Sequence, residues 1–202
     1  MALSFIPPSE PVENSTPPIG ENWSHELKWD GYRCQAHLEN KKATLLSKNG
    51  KPLDSRFRAI QSAVASLPCR SAVNDAEIVA MDAHGRPDFR SLHSGQRHGL
   101  VLACFDLLER DSHDLRKLPL FERRMQLAML LDKANDPSLP FSESFDDPIT
   151  LLEAADRMGL EGIVSKQSDQ PYKSGRNRGW IKVKCHAWRA QHADRADLFK
   201  RR

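Results

Sequence analysis

The stretch HELKWDGYR, from His25 to Arg33, crowds two carboxylates, a lysine and an arginine around two aromatics. A lysine amine becomes a nucleophile once it is neutral. Carboxylates hold divalent cations, and a guanidinium grips phosphate or hydroxyl groups. In an extended backbone alternate side chains share a face. Glu26, Lys28 and Asp30 would then face one way, and Leu27 and Trp29 the other. Two readings fit: a solvated, self-paired edge strand, or a reactive lysine facing a ligand. The same alternation recurs downstream. In WIKVKC, Ile181 and Val183 oppose Lys182 and Lys184, which either guard a sheet edge or meet an anion. In NDAEIVA, Asp75 and Glu77 oppose Ala76 and Ile78, and in LEGIVSK, Glu161 opens a strand beside Gly162. Phe105 stands at the end of the apolar run GLVLACFDLLE. Together these supply a nucleophile, further cations, two separated carboxylates and an aromatic face. Phosphoryl-type chemistry on a nucleotide needs those parts.

The elements that must position them can be read from periodicity. Residues 7–22, rich in Pro, Ser, Glu and Asn, read as an irregular surface leader. ENKK (Glu39 to Lys42) is a turn joining the opening stretch to ATLLSKNGKPL as a hairpin. Phe57, Ile60, Val64 and Leu67 predict a helix over 55–67 that Pro68 stops. Strands are expected at Val73 to Met81 and along GLVLACFDLLE, the latter buried on both faces. Pro119 to about Lys133 reads as a helix whose apolar face is Phe121, Met125, Ala128 and Leu131. Asp147 as N-cap and Pro148 behind it open another helix, which ends at Gly159. EGIVSKQ and WIKVKC follow as strands around the loop SDQPYKSGRNRG. Strands outnumber helices without strict alternation, so the class is α+β with largely antiparallel sheets and flanking helices.

The 202 residues are 39% hydrophobic and 28% charged with a net charge of +3, the balance of a soluble globular chain that permits nucleic-acid binding without demanding it. Four scattered cysteines, Cys34, Cys69, Cys104 and Cys185, form no Cys-x-x-Cys pair, so they read as free thiols rather than a zinc site. No apolar run is long enough to span a bilayer, and MALSFIPPSEP lacks the pattern of a signal peptide. A cytoplasmic location without membrane contact is expected. His25 reads as an exposed histidine.

The run Lys28-Trp-Asp-Gly-Tyr-Arg33 resembles the K-x-D-G-x-R signature of covalent nucleotidyltransferases, which include ATP-dependent DNA ligases, RNA ligases and capping guanylyltransferases. SKNG (Ser47 to Gly50), DAEIVAMDAHGRPDF (Asp75 to Phe89), FDLL (Phe105 to Leu108), EGIVSK (Glu161 to Lys166) and WIKVK (Trp180 to Lys184) resemble the family's further motifs, in its order. The wording is most similar to the bacterial DNA ligase type fused to end-joining modules.

The resemblance implies the ATP-grasp-like catalytic fold of DNA ligases and capping enzymes. It implies Lys28 as the nucleophile toward the ATP α-phosphate, forming a lysyl-AMP intermediate, and Mg²⁺ near Glu77 and Glu161. Arg33 and Glu77 would hold the ribose, Phe105 would stack on adenine, and Glu26 with the Leu27 backbone would read the base edge. Lys182 and Lys184 would stabilise phosphate charge. The AMP would pass to a 5′-phosphate at nicked or broken duplex DNA. Two positions depart from the family pattern: Lys48 replaces an arginine of the nucleotide site, and Ala76 replaces a glycine. The expected division is a leader at 1–22, a nucleotidyltransferase domain at 23–185 and a basic tail at 186–202. In CHAWRAQHADRADLFKRR, Trp188 and Leu198 define no helical face, and its arginines and lysines either touch phosphates or stay solvated. No OB-fold fits there, so a separate OB-fold or end-joining partner is one expectation. The other is a binding remnant without efficient turnover.

Overall fold

A computed structural model describes residues 3–191. Its strands are β1 (Ser9–Glu13), β2 (Trp23–Leu27), β3 (Tyr32–Glu39), β4 (Lys42–Ser47), β5 (Ser71–Ala80), β6 (Leu100–Arg110), β7 (His113–Asp114), β8 (Ser144–Phe145), β9 (Gly162–Gln167) and β10 (Gly175–Lys184). The helices are α1 (Arg58–Ser66), α2 (Phe89–His93), α3 (Leu120–Ala134), α4 (Pro148–Arg157) and α5 (His186–Gln191). They build two five-stranded sheets, ordered β1-β10-β9-β2-β8 and β4-β3-β5-β6-β7. All neighbouring strands pair antiparallel except β1 with β10. The α+β class with largely antiparallel sheets is therefore what forms.

Each sheet has its own helical backing. Behind the second sheet lie Ile60 and Val64 of α1 and Leu127 and Leu130 of α3, packed on Ala36, Ala76 and Leu107. Behind the first, Leu151 and Ala155 of α4 pack on Ile163, Ile181 and Val183. Between the sheets, Phe105, Leu108, Tyr172, Trp180 and Ile6 form a third apolar cluster. Local signals account for several boundaries. Asp147 accepts from the backbone N–H groups of Ile149 and Thr150 at 2.9 and 3.2 Å, satisfying two orphan donors of α4. Gly159, at φ +70°, lets the chain leave that helix. The predicted turn at ENKK joins β3 to β4 through Asn40 and Lys41, both at positive φ.

Four expectations are overturned. The leader is not irregular throughout: Ser9–Glu13 forms β1, parallel to β10, and Ser9 is fully buried. HELKWDGYR is not one extended strand, because β2 ends at Leu27 and β3 begins at Tyr32 in the other sheet. The expected face of α3 is rotated: Phe121 and Met125 are 55% and 56% exposed, while Leu120, Arg123, Arg124 and Leu127 turn inward. Arg123 is buried because Asp106 takes it bidentately, Nε to Oδ1 and Nη2 to Oδ2 at 2.8 Å each. Phe105 lies in the middle of β6 rather than at its end. Among the described residues no helix is long and apolar enough to cross a membrane, and no cysteine is in a disulfide.

Candidate functional site

The four residues from Lys28 to Gly31 carry the chain from one sheet to the other, and this crossing sets the site. Lys28 N–H donates to Gly162 O at 2.8 Å, continuing the β2–β9 ladder by one rung. Gly31 then passes so close to β5 that a Cβ there would lie 2.0 Å from Ile78 O. Gly162 is equally constrained: at φ +151° a Cβ would meet Val183 O at 2.0 Å. No side chain fits either place, so the two glycines allow the loop, β5, β9 and β10 to approach around Lys28.

A cleft of about 370 Å³ opens between the sheets at this crossing. Glu26, Leu27, Lys28, Arg33, Lys48, Glu77, Phe105 and Lys182 all line it. Glu161 and Lys184 lie at its back, reached through the nucleophile candidate: Lys28 Nζ is 2.6 Å from Glu161 Oε2, and Lys184 Nζ is 3.8 Å from Oε1. One carboxylate thus bridges two lysines. The sequence pattern of β10 holds, with Ile181 and Val183 buried and Lys182 and Lys184 half-exposed on the opposite face. Lys182 is 3.7 Å from Glu13.

Arg33 is fixed by a buried network. Its Nε and Nη2 donate to Asp75 Oδ1 and Oδ2 at 3.1 and 2.8 Å, and its Nη1 donates to Ser9 O at 2.6 Å. Tyr172 donates its hydroxyl to Asp75 Oδ2 at 2.7 Å and accepts from Ser9 N–H at 2.9 Å. The guanidinium stands 5.3 Å from the Phe105 ring and 5.8 Å from the Trp180 ring. Glu77 lies in the same cleft. Burial pushes its carboxyl up to about 8, against the opposing pull of Lys28 and Arg33. A carboxylate destabilised by desolvation is one that a bound cation would relieve.

Several residues in the cleft or behind it were not singled out from sequence. Lys166, 3% exposed, is 2.6 Å from Glu26 Oε1 and 4.5 Å from the rings of both Phe105 and Trp180. Burial lowers its ammonium below the usual lysine range, with Glu26 opposing. Arg124 of α3 is 2.9 Å from the same Glu26 oxygen. Alternation was the available signal: Trp180 has the parity of Lys182 on β10, and Lys166 that of Val164 on β9. Nothing in the helical pattern pointed to Arg124. His25 departs from expectation. It is fully buried, its Nδ1 lies 2.8 Å from Ser165 Oγ, and burial lowers its imidazole against the influence of Asp146 and Asp147. The expected solvated tail is also corrected in part. Trp188 is 9% exposed within the cluster backing the first sheet, and Arg189 pairs with Glu13, whereas residues 192–202 lie outside the described residues.

Comparison with known proteins adds to this geometry. The chain is 38% identical over 174 residues to the multifunctional non-homologous end joining protein LigD of Pseudomonas aeruginosa, covering 84% of this chain and 21% of that protein. It is 31% identical over 209 residues to the bifunctional LigD of Bacillus subtilis, covering 87% and 33%. The chain thus spans between a fifth and a third of these relatives' lengths. Among solved structures, mycobacterial DNA ligase D complexed with ATP and MES superposes with a TM-score of 0.75 at 27% identity, over 88% of this chain and 59% of that one. The sequence profile of the ATP-dependent DNA ligase domain matches residues 10–184, and to that family this chain belongs.

Proposed function

We propose that this chain is the nucleotide-charging core of an ATP-dependent DNA ligase. The observation that carries this reading is the position of Lys28, at the crossing between the sheets, with its amine against Glu161 and facing a cleft lined by Glu77, Lys182, Arg33 and Phe105. Lys28 Nζ attacks the ATP α-phosphorus. A P–N bond forms, the bond to the bridging oxygen breaks, and pyrophosphate leaves. Glu161 orients the amine before attack and is the first acceptor for its proton. Lys182 and Lys184 stabilise the charge that builds on the α-phosphate oxygens. Arg33, held by Asp75, grips the ribose, and Phe105 offers its face to the base. Glu26, with the Leu27 backbone, borders the base edge, and Lys48, which also lines the cleft, meets the nucleotide from the β4 side.

Glu77 and Glu161 would hold a Mg²⁺ ion. Two carboxylates completed by substrate phosphates and water form a usual magnesium set, and the destabilised Glu77 carboxyl fits that use. When bound, the ion neutralises phosphate charge. In the second step a DNA 5′-phosphate attacks the adenylate phosphorus, an anhydride forms and Lys28 departs. The 3′-hydroxyl of a neighbouring strand then displaces AMP and seals the nick. A DNA-clamping OB-fold or end-joining protein is the expected partner for sealing.

Intact mass of the protein with ATP and magnesium, before and after pyrophosphate, tests the first step. An AMP adduct is expected on the wild type, absent from Lys28→Ala and reversed by pyrophosphate. No adduct after pyrophosphate stripping would leave a nucleotide- or end-binding module. Sealing of nicked DNA against nicked RNA, with ATP against GTP, then tests the substrate.

A further inference from the structure

The segment that follows β10 returns to the reactive lysines. Ala187 N–H donates to Asp156 Oδ1 of α4 at 3.0 Å, and Arg189 Nη2 donates to Glu13 Oε1 at 3.0 Å. These contacts tie α5 to α4 on one side and to β1 on the other. Between them Trp188 is nearly buried and packs in the cluster that contains Ile181 and Val183. Its indole ring centre lies 4.8 Å from Lys184 Nζ. The same indole donates its Nε1–H to Asp30 Oδ2 at 3.4 Å.

These contacts close a loop around the centre. Trp188 touches Lys184, Lys184 faces one oxygen of Glu161, and the other oxygen of Glu161 takes Lys28. Asp30, two residues after Lys28 on the crossing loop, returns to Trp188. A lysine ammonium sits on a flexible four-carbon stem, so its position is not fixed by its backbone. Between a carboxylate and an indole face, Lys184 has few places to go.

We propose that Trp188 is a positioning residue of the adenylylation centre. Its ring face holds Lys184 toward the α-phosphate, and its N–H holds Asp30 and with it the loop that presents Lys28. This deepens, and rests on, the nucleotide-charging reading above. Trp188 would act on the transition state through Lys184, so its loss should lower the maximal rate of adduct formation more than it changes the KM for ATP.

The test compares wild type with Trp188→Phe, which keeps a ring face and loses the N–H, and Trp188→Leu, which loses both. Single-turnover formation of the AMP adduct is measured across ATP concentrations, with a urea midpoint for each protein. Trp188→Leu is expected to slow the maximal rate roughly 2- to 30-fold, the range for loss of one cation–π contact, with Phe restoring part of it. Unchanged rates per folded molecule alongside a lowered urea midpoint would make Trp188 a packing residue and overturn the proposal. Should Trp188→Leu fail to fold, Trp188→Met, which likewise lacks the ring and the N–H but adapts its shape to the gap, takes its place.

A second readout does not need ATP. The acylation rate of Lys184 relative to Lys182, read by peptide mass spectrometry with an amine-reactive reagent, is expected to rise several-fold in the Leu variant and to stay near wild type in Phe. If the wild type forms no AMP adduct, the charging reading falls, while this ratio still judges the Trp188–Lys184 contact. An unchanged ratio in the Leu variant overturns it.

Discussion

Replacing Asp106 by Asn leaves the shape of the buried Arg123–Asp106 pair and removes one of its charges. Both residues are fully buried. Arg123 also donates to Leu118 O at 2.7 Å and Gln170 O at 3.1 Å, so it ties α3 to the loop carrying Tyr172. The wild-type carboxyl is already pushed up by burial, and the Arg123 contacts, with a further pull from Lys166, oppose that rise. Without its partner the guanidinium becomes an uncompensated buried charge, a change that costs about 3 to 5 kcal/mol. With a urea slope of about 2 to 3 kcal/mol/M, the midpoint should fall by about 1 to 2.5 M. Thermal midpoints should drop by roughly 6 to 20 °C for a chain of this size. Equilibrium urea unfolding of Asp106→Asn, Arg123→Met and the Asp106→Leu/Arg123→Met double variant completes a cycle. The double variant should be less destabilised than the sum of the singles, because it removes both charges together. It will not reach wild type, since Leu118 O and Gln170 O lose their donor. A loss below about 1 kcal/mol in Asp106→Asn, or a double variant as poor as the summed singles, would refute this account of the pair.

Other outcomes follow from the site and the core. Glu77 favours its neutral form in the fold, so its contribution to stability is full below about pH 4.5 and is lost as pH rises through about 8. Glu77→Gln should therefore flatten the fall in urea midpoint between about pH 4.5 and about pH 8, and an unchanged pH slope would contradict it. Tyr172→Phe removes the hydroxyl that fixes Asp75 and through it Arg33. It should raise the ATP KM by a few-fold while the maximal adenylylation rate holds, read from adduct formation across ATP concentrations. Gly31→Ala places a Cβ on Ile78 O, and the fold should lose roughly 1 to 3 kcal/mol or more in urea unfolding. Asn74 is fully buried with neither amide atom hydrogen-bonded, so Asn74→Val should raise the urea midpoint by removing an orphan worth about 1 to 3 kcal/mol.

What could be read from the chain, and what could not, divides along the range of the interactions. Alternation placed Ile181 and Val183 inside and Lys182 and Lys184 on the opposite face, because strand geometry is local and period two. Asp147 and Gly159 announced α4 by capping chemistry that needs only its own residues. The rotated face of α3 could not be seen, since placing Arg123 and Arg124 inward requires knowing that Asp106 and Glu26 await them. β1 escaped for a related reason. Its partner begins at Gly175, so nothing near Ser9 signals a strand. The break after Leu27 depends on a steric fit between Gly31 and Ile78 O, which no periodicity records.

That distant pairing of Ser9 with Gly175 has a consequence during synthesis. β10 joins β1 to the rest of its sheet, so β1 has no strand partner until the chain has been made nearly to Lys184. A ribosome emitting this chain from its N-terminus can offer the β3–β4–β5–β6 sheet early, built from neighbours in sequence order. The opposite wall of the cleft has to wait. Lys28 is thus translated early but acquires its carboxylate partner Glu161 late, so the cleft around it is assembled only when the fold closes.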